Sequence, residues 1–374
     1  MKQLYIAITI ILITLNACAQ QIESEIKAEA SENSNYTYEL VVPELNIPWG
    51  MAFLPDGSML ITEKSGELIH FKNGLKTNIS GLPEVYVRGQ GGLMDIKLHP
   101  EFTTNGWIYL SYASPEGEGD GGNTAIMRAK IKDNVLVDIQ QLYKAGPNTK
   151  KGQHFGSRIE FDNDGYLYFS IGERGERDVN PQDITRDCGK IYRLRDDGRV
   201  PEDNPFINEP NAIKAIYSYG HRNPQGMAKN PKTGAIWIHE HGPQGGDEIN
   251  IIQKGKNFGW PVISYGINYN GTSFTDITEK EGMEQPLFYW VPSIAPSGMA
   301  FVTSNKYPDW IGNLLVGSLK FQYLERLELQ NNKVTKREKL FENIGRVRNV
   351  CQAPDGFIYV AVEGKGIVKI IPKN

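Results

Sequence analysis

The feature that most constrains this chain is a sixfold internal repetition. One unit reads Gly50-Met51-Ala52-Phe53, then the turn Pro55-Asp56-Gly57, then Met59-Leu60-Ile61. It returns as Leu93 to Leu98, Asn105-Gly106 and Trp107-Ile108-Tyr109-Leu110, and again as Ser157 to Phe161, Asn163-Asp164-Gly165 and Tyr166-Leu167-Tyr168-Phe169. The fourth copy is Gly226-Met227-Ala228, Lys232-Thr233-Gly234 and Ala235-Ile236-Trp237-Ile238. The fifth is Gly298-Met299-Ala300-Phe301, Ile311-Gly312 and Asn313-Leu314-Leu315-Val316; the sixth is Val347 to Gln352, Pro354-Asp355-Gly356 and Phe357-Ile358-Tyr359-Val360. Asp-Gly and Asn-Gly turns between short apolar strands favour hairpins, because both residues tolerate positive φ. Units recurring at roughly 45–80 residues are sheets that need neighbours to cover their apolar faces. The expectation is an all-β, six-bladed propeller of four-stranded antiparallel blades. No run at helical period reaches three turns, and a sandwich would need closer, more even strand spacing. Two Gly/Pro/Asn-rich stretches, Gly175 to Asn211 and Gly259 to Pro286, are long for connections and are expected to cover one mouth of the channel.

The N-terminus reads as a processing segment. Lys2 precedes an apolar run from Leu4 to Leu15 that is too short to span a membrane, and Leu15-Asn16-Ala17-Cys18 looks like a bacterial lipobox. Residues 1–17 are expected to be a signal peptide, and 18–35 a polar tether anchored by a lipid on Cys18. Residues 36–374 are expected to form the propeller. The alternative is an ordinary signal peptide with a chance cysteine. Either way the chain is expected to be exported, to the bacterial periplasm or outer membrane, touching the membrane only through the anchor. A net charge of −4 leaves no basic excess, so nucleic acid is not an expected partner. Cys188 and Cys351 read as buried thiols, with a disulfide left open.

Alignment of the repeats on their first strands gathers polar residues at the strand starts: Gln90, His154, Arg222-Asn223, Arg346 and Arg348. First strands line a propeller's channel, so these starts converge on one mouth. Cations gathered there are costly unless an anion offsets them, and Arg forks suit carboxylates. The competing reading pairs each Arg with an acid of a neighbouring blade. Glu173, after Phe169-Ser170-Ile171-Gly172, could orient His154 or form a surface salt bridge with Arg174. In His239-Glu240-His241-Gly242-Pro243-Gln244-Gly245-Gly246-Asp247-Glu248, two histidines hint at zinc but no third soft ligand follows. Asp247, Glu248 and freed carbonyls instead suit a hard cation such as Ca²⁺, unless the loop is simply held by its own turns.

These residues resemble the soluble PQQ-dependent aldose sugar dehydrogenases of the wider glucose/sorbosone dehydrogenase family, from about Trp49 to Lys373. The markers are Gly89-Gln90-Gly91-Gly92-Leu93, His154-Phe155-Gly156-Ser157-Arg158, Gly172-Glu173-Arg174-Gly175, Gly220-His221-Arg222-Asn223-Pro224, His241 to Asn250 and Asn257-Phe258-Gly259-Trp260-Pro261. The resemblance implies oxidation of an aldose at C1 to its lactone by PQQ, with electrons passing to an acceptor the sequence does not identify. It implies His154 as general base with Glu173 beside it. Gln90, Arg222, Asn223, Tyr269, Lys320, Arg346 and Arg348 are implied as cofactor contacts. The carbonyls of Gly242 and Pro243 are implied as ligands of the Ca²⁺ that holds PQQ, and Glu248 with the Phe258 backbone as a further Ca²⁺ site. Two rivals remain: a non-catalytic propeller binding a glycan or protein, and a calcium-dependent propeller lactonase.

Overall fold

The computed structural model describes residues 29–30 and 35–373. The expected signal peptide and Cys18 lie outside the described residues. Six antiparallel sheets account for the chain, in sequence order. Their innermost strands are Pro48–Phe53, Leu93–Leu98, Ile159–Phe161, Pro224–Lys229, Pro296–Phe301 and Val347–Gln352, which open blades 1 to 6. Each lies against the next, and that of blade 6 against that of blade 1, so the ring is closed. Four strands make every blade. In blade 6 the fourth is not contributed by the following sequence but by Tyr36–Pro43, paired antiparallel with Gly366–Pro372. Glu29–Ala30, within the stretch expected to be a tether, pairs in parallel with the outer strand of blade 5, Lys333–Leu340.

Packing explains why six blades stand together. There is one apolar cluster for every blade-to-blade interface: Leu60 and Leu110 lie in that of blades 1 and 2, Phe161 and Tyr109 in that of blades 2 and 3, Trp237 and Leu314 in that of blades 4 and 5. The others join blades 3 and 4, 5 and 6, and 6 and 1. Each buried Val, Leu or Ile side chain contributes about 1.5–3 kcal/mol relative to exposure, so removing one blade would strip two clusters. Helix is confined, among the described residues, to Phe102–Asn105 and a single 3-10 turn, Pro308–Trp310.

The channel is stoppered by one side chain. Arg158, in blade 3 and 3% exposed, donates to the Gln225 carbonyl at 2.7 Å, the Arg348 carbonyl at 2.8 Å, Asp95 Oδ1 at 3.2 Å, the Trp49 carbonyl at 3.4 Å and Ser297 Oγ at 3.5 Å. It thus touches all five other blades. Beyond it, at the end away from His154, lies a cavity of about 420 Å³ bordered by the Lys97–Glu160 pair and Cys351. Cys188 and Cys351 are free thiols, which closes the disulfide alternative.

One of the two expected mouth loops is differently built. The stretch from Gly175 to Asn211 is interrupted by a blade strand, Lys190–Leu194, so only its first part lies at the His154 end. The second stretch does climb over that end, its Ile267 bridging Gln244 and its Met283 bridging Asn257, which in turn bridges Tyr219 of blade 3.

Candidate active site

Five of the six inner strands open with a register shift against their partner: at Pro48/Gly50, Leu93/Ile96, Pro224/Gly226, Ser297/Met299 and Val347/Asn349. Such bulges bend a strand and re-aim its side chains. Blade 3 achieves the same with its backbone: His154, Gly156 and Ser157 take φ values of 59°, 63° and 85°. The His154 N–H donates to Gln90 Oε1 at 2.8 Å, and its Nδ1 is hydrogen-bonded to Glu173. Glu173 is 2% exposed. Its second carboxylate oxygen is buried with no partner among the described residues. Nε2 is left for a cavity of about 340 Å³ that His154 and Glu173 share with Arg222, Pro243, Trp260 and Tyr269. Burial, followed by the charge of Arg222, holds the imidazole below the ordinary histidine range, with Glu173 pulling the other way. A neutral ring with its Nδ1–H given to a carboxylate presents an Nε2 lone pair, which is the arrangement of a general base.

Arg222 is partnered by carbonyls rather than a carboxylate. It donates to Gly242 O at 2.8 Å and His241 O at 3.1 Å, and its guanidinium lies 5.3 Å from the Trp260 ring centre. Asn223 accepts the Gly156 N–H at 3.1 Å, while its buried Nδ2 has no partner among the described residues. Tyr269 stands 75% exposed at the cavity edge.

The remaining cations form a second group on blades 5 and 6, and here the structure corrects the picture of a free basic cluster. Arg346 Nε and Arg348 Nε both bond Glu363, at 2.5 and 2.9 Å. Burial alone would raise the Glu363 carboxyl, but the two guanidiniums outweigh it and hold it low. Glu363 follows the second strand of blade 6 and belongs to no motif, so nothing in the sequence marked it. The two groups adjoin: Arg348 also donates to Gln225 Oε1 at 3.0 Å, and Arg346 to the carbonyl of Leu319, next to the exposed Lys320, at 3.1 Å. Nor does Arg174 form a surface pair with Glu173. It is 1% exposed and turned onto backbone carbonyls.

In the His239–Asn250 stretch, zinc is disfavoured by geometry. His239 and His241 each bond a carbonyl of blade 5, Gly298 O at 3.1 Å and Pro296 O at 2.7 Å. Burial keeps both neutral, His239 down to about 3. Asp247 was expected among the metal ligands, but its oxygens are occupied by the N–H groups of Gly242 (2.8 Å), Ile294 (2.7 Å) and Ala295 (3.0 Å) and by Ser293 Oγ (2.9 Å). It organises the loop that presents Gly242 and Pro243. Burial nevertheless raises its pKa to about 6 against the pull of these donors.

Glu248 faces Glu240 across neighbouring strands. Burial and the Glu240 charge push its carboxyl well up. Both lie in a small cleft with Gly242 and Phe258, and nearby Asn250 Oδ1 is buried without a donor among the described residues. Two like charges beside an idle acceptor oxygen form an arrangement that a cation would relieve. Glu240 also holds His221 Nδ1 at 2.8 Å and the Arg222 N–H at 2.6 Å, tying this cleft to the cavity.

Known proteins share this architecture. The family model described as Glucose / Sorbosone dehydrogenase matches residues 45–369. The Aldose sugar dehydrogenase YliI of Escherichia coli is 43% identical over 346 residues, covering 90% of this chain and 93% of that one. A crystal structure of the soluble aldose sugar dehydrogenase of Escherichia coli in the apo-form superposes with a TM-score of 0.87 at 41% identity, over 90% of this chain and 100% of that one. A PQQ-bound aldose sugar dehydrogenase of Streptomyces coelicolor gives 0.73 at 27% identity, over 90% and 98%. With its closed ring of six blades and its His154–Glu173 cavity, the chain belongs to the glucose/sorbosone dehydrogenase family.

Proposed function

We propose that this protein oxidises aldose sugars at C1 to the corresponding lactones, with PQQ as the hydride acceptor and His154 as general base. The observation that carries the reading is the Glu173-bound His154 imidazole beside Arg222, a buried cation that, among the described residues, is met by two carbonyls and the Trp260 ring and by no carboxylate. The residues present fit PQQ, a planar tricarboxylate bearing an ortho-quinone. Asn223 Nδ2 is a buried donor awaiting an acceptor. Arg346 and Arg348 share the one carboxylate of Glu363, so this pair carries one positive charge in excess. They fit Ca²⁺ as well: a Cβ on Gly242 would meet the Gly245 carbonyl oxygen at 2.1 Å, so only glycine permits this oxygen-rich turn. Gly242 and Pro243 would hold one ion. Glu248, with Glu240 beside it and the Phe258 carbonyl, would hold another.

When bound, PQQ supplies the two-electron redox chemistry and Ca²⁺ the Lewis-acid charge. The chain supplies placement and proton transfer. His154 Nε2 takes the anomeric hydroxyl proton, a step worth about 10²–10⁴-fold. Glu173 fixes the ring so that Nε2 is the basic nitrogen and steadies the imidazolium that forms. Arg222 sets positive charge beside the cavity where oxygen charge develops, and Trp260 and Tyr269 wall it. Electrons then leave to an external acceptor. We further propose export and anchoring through Cys18, supported by the Leu15-Asn16-Ala17-Cys18 motif and checked by mass analysis of the mature N-terminus.

The test is reconstitution with PQQ and Ca²⁺ followed by a dye-linked assay on a panel of aldoses. Turnover is expected; its absence on every aldose would remove the enzymatic reading. His154→Ala is expected to bind PQQ and lose most turnover, and an active variant would move the base elsewhere.

A further inference from the structure

His154 occupies a backbone conformation that its surroundings must enforce. A non-glycine residue in the left-handed region costs about 1–2 kcal/mol and persists only where neighbours over-determine it. At φ 59°, with Gly156 and Ser157 also positive, the segment from Lys151 to Ser157 would relax if left alone. Rotation about the Gln153–His154 peptide would be the first step of that relaxation. Both edges of this peptide plane are gripped. Its N–H is taken by Gln90 Oε1 at 2.8 Å, and its carbonyl oxygen by Arg174 Nη1.

Arg174 makes further holds on the same segment. Its Nη2 donates to the Lys151 carbonyl at 2.8 Å and to the Gly122 carbonyl at 3.3 Å, and its guanidinium carbon sits 3.4 Å from the centre of the Phe155 ring. The residue is 1% exposed, and its Nε is buried with no partner among the described residues. Burying a guanidinium against carbonyls and a ring is costly, and burial lowers its pKa to about 10. A methionine or leucine would fill the space against Phe155 at far less expense. What only the fork provides is a simultaneous grip on residues 122, 151 and 153. The preceding residue, Glu173, holds the imidazole of the same histidine.

We propose that Arg174 is the positioning residue of the catalytic base: Glu173 fixes the ring of His154 and Arg174 fixes its peptide, so two consecutive residues hold both halves of one histidine. This rests on the proposed role of His154. Arg174 touches neither substrate nor cofactor in this scheme; it acts through His154. A displacement of about 1 Å at a reacting group costs on the order of 10²-fold in rate, which sets the size of the expected effect.

The experiment compares Arg174→Gln and Arg174→Lys with the unaltered chain in two states. In the apo-protein, ¹⁵N and ¹³C signals of labelled histidine are followed, His154 being assigned by its loss in His154→Ala. The unaltered protein should show one sharp His154 set, and Arg174→Gln a broadened or doubled one. With PQQ and Ca²⁺ added, PQQ affinity should stay within about threefold while kcat on a saturating aldose falls about 10²-fold, and the isotope effect with C1-deuterated sugar should rise. Arg174→Lys keeps a cation but only one donor nitrogen in place of the fork and should fall between; it carries the test if Arg174→Gln does not fold. Unchanged His154 signals together with kcat within threefold would overturn the proposal. So would a kcat loss matched by an equal loss of PQQ affinity and thermal stability, which is what a merely structural residue predicts. If the apo signals respond while no aldose is turned over by any form, the positioning stands and the function assigned to His154 falls.

Discussion

Replacing Arg158 by Met should unfasten the axis of the ring without touching the cavity at the mouth. The side chain is 3% exposed and Asp95, its one carboxylate partner among the described residues, is 9% exposed at the side chain. Stranding one partner of a buried pair costs about 3–5 kcal/mol, more than the pair itself contributes. The lost donors to the Gln225, Arg348 and Trp49 carbonyls add to this, while Met recovers part by packing against Trp49. A net loss of about 3–5 kcal/mol is therefore expected, read as a shift of the urea midpoint of the apo-protein at pH 7 at constant slope. Asp95→Asn keeps an acceptor for the Ile159 N–H, now 3.0 Å from Oδ2, and removes the stranded charge. The double variant should accordingly lose at least about 2 kcal/mol less than the two single losses together. A second signature comes from pH. Burial already raises the Asp95 pKa and Arg158 opposes that rise, so in Arg158→Met the folded state favours protonated Asp95 still more. Relative to the unaltered protein, that variant should gain stability as pH is lowered from 7 towards 4, because at Asp95 its folded form binds more proton than the unfolded chain there. A loss under about 1 kcal/mol, or strict additivity in the double variant, would refute the account of Arg158 as an axial tie.

Glu173→Gln should cut kcat by about 10²-fold or more with PQQ binding retained, because an amide can donate to Nδ1 and leave the proton on Nε2; kinetics beside a PQQ titration decide it. Glu363→Gln removes the carboxylate shared by Arg346 and Arg348. It should lower apo stability by about 1–3 kcal/mol yet make PQQ more stabilising in a thermal shift, and an equal shift in both forms would contradict the shared-anion picture. His239 is buried and neutral with its pKa brought down to about 3, so the unfolded chain binds more protons between about 6.5 and 3. Stability should fall as pH drops through that window, and His239→Gln should flatten the fall in acid-unfolding curves. Gly242→Ala should abolish Ca²⁺-dependent PQQ binding, since its methyl would collide with the Gly245 carbonyl; calorimetry measures it.

The inner two strands of every blade were legible because each is an apolar run hinged on an Asp-Gly, Asn-Gly or comparable turn. The outer strands were not. Lys333–Leu340 and Val135–Lys144 face solvent along much of their length, so their sequences carry charge rather than pattern, and only the neighbouring sheet defines them. The closing role of Tyr36–Pro43 depends on a partner more than three hundred residues away. At the site, His154 and Arg222 could be found because they stand at equivalent strand starts. Glu363 and Glu240 could not, since a lone acid at a strand end looks like any solvated charge. Asp247 shows the opposite limit: its residue type suggests a cation ligand, and only coordinates reveal that backbone amides have occupied it.

The pairing of Tyr36–Pro43 with Gly366–Pro372 sets an order of events in synthesis. Tyr36–Pro43 finds its sheet only when Gly366–Pro372 has been made, so blades 1 to 5 can form early while the circle stays open. The nascent chain is therefore not yet locked, and it latches once Gly366–Pro372 arrives. For the same reason, deleting Tyr36–Pro43 or Gly366–Pro372 should not fray a single edge but release the whole hoop, since these two strands are the clasp.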